Sequence, residues 1–303
     1  MFRTDDRHWK LNGTLYRGNP MELTLFRRIC QIAGAVFSNG YLSVLVTRKL
    51  NNSATKGFCV PVLNCYSCPL ALFSCPIGTL QHFVAFHAVP WYPLALLGLI
   101  GIMVGRMTCG WICPFGLVQD LLYKVNLPKF DFNPGLGYVK YGVLVILVFL
   151  LPYVTGQLWF SKLCPSGTLF ASIPWVLWNP VDPGSGQKIL PSGPGAIFYI
   201  DLAILALFLI WSMTTKRPFC RVFCPLGAIF SLFNKISFLQ LKVDPSCDGC
   251  GQCKTRCPVG IDVHENPNSP ECIRCLECTS CAHVSVTAGV SFDREPALKK
   301  NRR

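Results

Sequence analysis

Residues 109–116 read Cys-Gly-Trp-Ile-Cys-Pro-Phe-Gly and residues 220–227 read Cys-Arg-Val-Phe-Cys-Pro-Leu-Gly. The two stretches match in both cysteines, the proline and the glycine, and each follows a long apolar run, so they form an internal repeat. In a helical turn, cysteines four apart share a face, so each motif offers two sulfurs. Two motifs brought together by antiparallel hairpins offer four, the number that holds an iron–sulfur cubane. The Pro-x-Gly that follows bends the chain and lets backbone N–H groups approach closely, which stabilises a net negative centre. Alone, Cys-x3-Cys is a weak pattern that also suits local thiols or a redox-active disulfide. Its repetition at matching positions favours one shared metal site on Cys109, Cys113, Cys220 and Cys224.

The apolar runs around these motifs set the fold class. Of 303 residues, 51% are apolar and only 14% charged, a balance that favours a membrane protein. A hydrocarbon core of about 30 Å takes roughly 17–25 helical residues. Four stretches qualify, near Ile29–Val46, Phe83–Val104, Gly137–Val154 and Ala196–Met213. Ser38, Asn39 and Gly40 interrupt the first, whose alternative is a buried helix hairpin. The stretch 160–178 is also apolar, but Pro165, Pro174 and the glycine-rich turns after it suggest an interfacial segment.

Lys and Arg number six before the first span, four in Arg106–Lys140 and five in Lys216–Lys242, against Arg48, Lys49, Lys56, Lys162 and Lys188 on the other side. Fifteen against five places both termini in the cytoplasm by the positive-inside rule. The loops 47–82 and 155–195 then face outward. The N-terminal residues have no apolar core ahead of a small-residue cleavage site, so a retained first span is expected. An excess of 28 Lys and Arg over 15 Asp and Glu also suits nucleic-acid binding, but the basic residues flank apolar runs instead of forming a face, and no nucleic acid is expected.

Residues 247–258 read C-D-G-C-G-Q-C-K-T-R-C-P and residues 272–281 read C-I-R-C-L-E-C-T-S-C, the paired spacing of a two-cluster ferredoxin. Three thiolates on one tight loop grip one face of a cubane while the fourth comes from the other motif. Cys247, Cys250 and Cys253 are therefore expected to join Cys281, and Cys272, Cys275 and Cys278 to join Cys257. The second motif has two residues, not three, before Cys281, and Ala282 where proline is common. Zinc knuckles are the alternative for these eight cysteines.

A third set precedes the second and fourth spans: Cys75-Pro-Ile-Gly-Thr-Leu80 and Cys164-Pro-Ser-Gly-Thr-Leu169, again a repeat. With the first pair, it makes the two halves parallel copies about an axis along the membrane normal. Cys65 and Cys68 complete four outward cysteines, for which an outward cluster and two disulfides compete. Sixteen of the eighteen cysteines are then assigned, leaving Cys30 as a buried thiol and Cys59 as a loop thiol. The expected fold is mainly α: a four-helix transmembrane bundle of two helix-hairpin repeats with a small C-terminal ferredoxin-like domain carrying two 4Fe–4S clusters. The divisions fall at 1–28, 29–240 and 241–303.

Asp201 lies about five residues, roughly 7 Å of helix rise, from the outer end of the fourth span, and His82 and His87 lie at the same level of the second. These three are the candidate catalytic residues, as ionisable groups that could accept protons within a span; residues wetted by headgroups are the alternative. A bis-histidine haem needs two facing histidines, and none is predicted.

Taken together, Cys109–Pro114, Cys220–Pro225 and the paired motifs from Cys247 to Cys281 resemble the NapH-type membrane ferredoxins, relatives of the membrane halves of NosR and of the RdxA/CcoG proteins. The resemblance covers nearly the whole chain. It implies a bacterial inner-membrane protein in quinol oxidation that passes electrons to a partner ferredoxin, cytochrome or reductase, with lipid and quinone as its membrane partners. The Cys65/Cys68/Cys75 group and the shortened last motif depart from the family pattern, and no flavin-attachment domain of the NosR kind is present. The RdxA/CcoG branch keeps a second function open, copper handling or cofactor assembly by the Cys-x3-Cys thiols, because soft sulfur ligands favour Cu(I).

Overall fold

The structure, a computed structural model, describes residues 20–47, 51, 53–179, 187, 195–281 and 283–288. Most of the basic N-terminus, Arg48, Lys49, Lys188 and the basic tail lie outside the described residues.

Two of the four expected spans are continuous helices. Pro134–Thr155 and Ala196–Thr214 have mean hydropathies of 1.9 and 2.2 and are long and apolar enough to cross a membrane. Less than a third of each is buried within the protein, and Val145, Ile146, Leu150, Ile200, Leu207 and Ile210 are exposed, so neither is the core helix of a soluble domain.

The other two expected spans are broken. The first run is a helix over Pro20–Ser38 that stops at the Ser38-Asn39-Gly40 interruption, with only a short helical turn at Val44–Thr47 beyond it. The second divides into Pro76–Ala85 and Trp91–Val104. Between them His87 takes a positive φ of 55°, and Pro90 lacks the N–H that would continue the helix. Helix 20–38 is inverted in polarity: Met21, Leu25, Ile29, Ile32 and Val36 are exposed, while Arg27, Gln31 and Ser38 are buried. A 3.6-residue period with its apolar stripe turned outward is the pattern of a helix that faces lipid and keeps its polar groups for the protein interior.

The stretch 165–178, expected at the interface, is helical throughout and packs on Ala196–Thr214, as Pro76–Ala85 packs on Trp91–Val104. The repeat therefore consists of a Cys-Pro helix, a returning apolar helix and the Cys-x3-Cys-Pro motif. Proline at the first helical position sets the start of each Cys-Pro helix, because its missing N–H is one that no helix can pair.

The C-terminal domain is closed by an antiparallel pair, Leu239–Val243 with Val284–Ala288, in which Leu241 faces Val286 and Val243 faces Val284. These four side chains are buried, so alternate residues of both strands point at the cysteine loop that the strands enclose. A single apolar core runs from Val62 in the membrane part to Val286 in this domain.

Candidate iron–sulfur sites

Cys109 and Cys220 sit in short helical turns, Met107–Trp111 and Pro218–Val222. Cys113 and Cys224 are the N-caps of Pro114–Leu122 and Pro225–Phe233, and the Gly227 amide donates to Cys224 Sγ at 3.3 Å. The N-terminal end of each helix, with its unpaired N–H groups, is thereby aimed at sulfur. All four thiols are buried, and with Leu63, Phe115, Phe219 and Leu226 they line one small cavity.

A second small cavity is lined by Cys257, Cys272, Cys275 and Cys278 together with Leu241, Val259 and Ile273. Burial pushes the Cys272 thiol up to about 11, and burial raises Cys275 as well, so a cationic centre is what would hold these groups as thiolates. Cys247, Cys250, Cys253 and Cys281 lie nearer the surface, with Cys250 exposed and Cys253 buried. Helix Gln252–Arg256 packs on the turn Glu277–Ser280, which brings Cys253 toward Cys281. Gly249 and Gly251, at φ of 68° and 75°, supply the left-handed turns on either side of Cys250.

The third cavity is lined by Cys65, Cys75 and Cys164 with Leu63, Tyr66 and Phe160. Cys75 and Cys164 are N-caps, and Thr79 and Thr168 each donate to the carbonyl of their own cysteine at 3.2 Å. Cys68 does not line this cavity; its thiol meets Asn39 Oδ1 at 3.5 Å. Cys75 and Cys164 are both buried. Residues 59–75 fold back into the protein, and Leu63 lines both the third cavity and the Cys109/Cys220 cavity. Cys59 is buried with its thiol 3.2 Å from Thr79 Oγ1, and Cys30 is half-buried on helix 20–38.

His82 packs edge-on against Phe86, and His87 lies against the Tyr153 ring. Asp201 is buried on a different helix, with one oxygen unpartnered. None of these three residues lines any of the three cysteine cavities.

The three cavities offer three or four sulfurs each, the kind of donor set that holds an iron–sulfur cubane. Zinc with Zn–S of about 2.3 Å needs sulfurs less than about 4 Å apart. Among the described residues no three His, Cys, Asp or Glu side chains converge on one metal ion, and all eighteen cysteines are free thiols. Charge points the same way. Arg27, Arg28 and Arg217 surround Asp120, while Arg106, Lys140 and Arg221 surround Glu271; Arg27 also pairs with Glu277. Six cations, five of them almost wholly buried, face three carboxylates beside the cysteine cavities. Buried charge needs compensation, and a four-thiolate cubane is a net anion.

A family model described as a 4Fe-4S binding domain matches residues 73–92, 92–134 and 199–243, the segments that carry Cys75, Cys109, Cys113, Cys220 and Cys224. The uncharacterized protein MJ0750 of Methanocaldococcus jannaschii is 30% identical over 233 residues, 73% of this chain and 88% of that one. The methylamine utilization ferredoxin-type protein MauN of Paracoccus denitrificans is 28% identical over 250 residues, 77% of this chain and 75% of MauN. The regulatory protein NosR of Stutzerimonas stutzeri is 27% identical over 190 residues, 58% of this chain and 23% of NosR. The chain belongs to the NapH/NosR-like family of membrane-associated ferredoxin-type proteins. No solved structure matches it. As a member of this family it is an iron–sulfur protein of electron transport.

Sequence reading stopped short of two residues. The Cys-x3-Cys repeat extends three positions toward the N-terminus, to Arg106 and Arg217, and comparing the copies over a longer window exposes the match.

Proposed function

We propose that this protein is a membrane-embedded electron conduit with four iron–sulfur sites in series, linking the quinone pool to a partner ferredoxin, cytochrome or reductase. The observation that carries the reading is continuity. Ile273 lines the Cys257/Cys272 cavity, and its carbonyl lies 2.6 Å from where a Cβ on Gly110 would stand, between Cys109 and Cys113. Trp111 Nε1 donates to the Arg274 carbonyl at 2.9 Å. Leu63 is common to the next two cavities. Clusters held in these places would each store one electron with a single layer of side chains between neighbours.

In this reading Cys247, Cys250, Cys253 and Cys281 hold the terminal cluster, whose exposed Cys250 faces a soluble partner. Cys257, Cys272, Cys275 and Cys278 hold the next, and Cys109, Cys113, Cys220 and Cys224 the third. Cys65, Cys75 and Cys164 hold the fourth, with Cys68, three residues after Cys65, as its remaining candidate ligand. Asp201, buried with an unpartnered oxygen, is the proton acceptor for quinol, and His82 and His87 lie toward the outer water. Four thiols lining one cavity support the cluster reading over a two-thiol copper site.

Iron and sulfide analysis of anaerobically purified protein is the test. About sixteen iron atoms per chain are expected from four cubanes, and about eight would leave only the C-terminal domain.

The proposed setting is the bacterial cytoplasmic membrane, with helices 134–155 and 196–214 long enough to cross it and helices 20–38, 76–85, 91–104 and 165–178 packed around them. Both termini are then cytoplasmic. A reporter fused after Arg303 should be active only in its cytoplasmic form, and a periplasmic signal overturns the topology.

A further inference from the structure

Arg106 and Arg217 each stand three residues ahead of the first cysteine of their motif, and each reaches across to the other motif. Arg217 Nη1 donates to the Cys109 carbonyl at 2.9 Å, and Arg106 Nη2 donates to the Cys220 carbonyl at 3.0 Å. Both arginines are almost wholly buried. The glycine three residues after the second cysteine makes room in each case. A Cβ on Gly116 would stand 3.0 Å from the Cys109 carbonyl oxygen and 3.3 Å from Arg217 Nη1; on Gly227 it would stand 3.0 Å from the Cys220 oxygen and 3.0 Å from Arg106 Nη2. The repeating unit is therefore Arg-x2-Cys-x3-Cys-Pro-x-Gly, and its two copies interlock through their arginines.

The symmetry breaks at the carboxylates. Arg217 pairs with Asp120, seven residues after Cys113, through both Nε and Nη2 at 2.6 Å. The corresponding position after Cys224 is Ser231, which is not a carboxylate. Arg106 turns instead to the C-terminal domain, where Nη1 donates to the Pro270 carbonyl at 2.7 Å and meets Glu271 Oε2 at 3.2 Å. Glu271 directly precedes Cys272. One arginine thus serves the Cys109/Cys220 site alone, and the other touches the loops of two neighbouring sites.

We propose that Arg106 and Arg217 are positioning residues that set the reduction potential of the cluster held by Cys109, Cys113, Cys220 and Cys224, and that Arg106 also sets the potential of its neighbour at Cys257, Cys272, Cys275 and Cys278. This rests on the four-cysteine reading above. A fixed positive charge in a low-dielectric site favours the reduced, more negative state of a cluster and raises its potential. Arg106 lies within Coulombic reach of Cys109, Cys220 and Cys224, and Cys272 in turn feels Arg106; Arg217 lies within reach of Cys220 and Cys113.

Potentiometric titration of the electron paramagnetic resonance signals of the full-length protein tests it. Arg217→Gln should lower the third cluster's potential by about tenfold in its redox equilibrium, about 59 mV for one electron, and leave the Cys272 cluster unchanged. Arg106→Gln should lower both. The lysine variants, which keep the charge, should restore most of each shift. Asp120→Asn, which removes the opposing charge, should raise the third potential alone, and Glu271→Gln should raise both; these two decide the matter if a glutamine variant fails to assemble. Unchanged potentials at full iron content, or equal shifts of both clusters in Arg217→Gln, overturn the proposal. Wild-type protein with about eight iron atoms fails the underlying four-site reading instead, before any variant is made.

Discussion

Cys220→Ala should lose about four iron atoms per chain, Cys109→Ala should lose the same four, and the double variant should lose no more than either. The equality follows from the geometry. The two cysteines come from motifs 111 residues apart in the chain, yet with Cys113 and Cys224 they line a single cavity. No fifth thiol lines that cavity, so a missing ligand has no thiolate substitute. A pair of independent sites, one per motif, predicts additive losses instead. Metal analysis of the three variants separates the cases, and the low-temperature spectra of the C-terminal clusters should persist in all of them. Spectra lost together with the iron would mean that the Cys109/Cys220 site is needed to fold the whole chain, and the equality would then carry no information about sharing.

The meeting of these four cysteines was legible because repetition is a long-range signal: two copies of one motif after two similar helices are brought to one place by pseudo-symmetry. The same holds for Cys257 with Cys272, Cys275 and Cys278, where crossed ligation is written in the spacing and the four thiols share a cavity. The position of residues 59–75 was not legible. With Pro61, Asn64, Pro69 and four cysteines, the segment reads locally as an exposed loop. Its burial depends on distant partners: Asn64 Nδ2 donates to the Ser38 carbonyl at 3.3 Å, Ser166 Oγ to the Leu63 carbonyl at 3.1 Å, and the Trp175 indole to the Ser67 carbonyl. Irregular backbone at membrane depth is tolerated only where protein satisfies its polar groups, and those groups lie about 25 to 110 residues away. The helix breaks were half legible. Ser38-Asn39-Gly40 reads as an interruption, whereas the turn at His87–Pro90 falls inside a stretch whose flanks are apolar enough to read as one span. The exposed apolar side of helix 20–38 was masked by Arg27, Arg28 and Gln31, whose charge and polarity lower the average while their side chains point at the protein.

Those same arginines carry the second large effect: Asp120→Ala should cost about 3–5 kcal/mol, enough to keep most of the chain from accumulating folded in the membrane. Asp120 is 7% exposed and accepts from Arg217 at 2.6 Å, from Arg28 at 2.9 Å and from Arg27 at 3.1 Å. It thus ties helix 20–38 to the Cys-Pro helix of the first motif and to the arginine ahead of the second. Removing it leaves three guanidiniums facing one another, two of them almost wholly buried, with Glu277 as partner to Arg27 alone. Asp120→Asn keeps the shape and two hydrogen-bond acceptor sites and should cost less, so the difference between the variants measures the charge. Acid should reproduce the loss with a definite sign. Burial favours the neutral carboxyl, but Arg217, Arg27 and Arg28 outweigh it and hold the group down at about 2, below the 3.8 of a free side chain. A carboxylate with a depressed value contributes in full above about pH 4, and the contribution fades as pH falls toward 2. Thermal unfolding in detergent should therefore show wild type losing stability between about pH 4 and 2, with Asp120→Asn lacking that part of the slope. Wild-type stability for the Asp120→Ala variant at neutral pH would mean that water or lipid headgroups, not this carboxylate, compensate the three arginines.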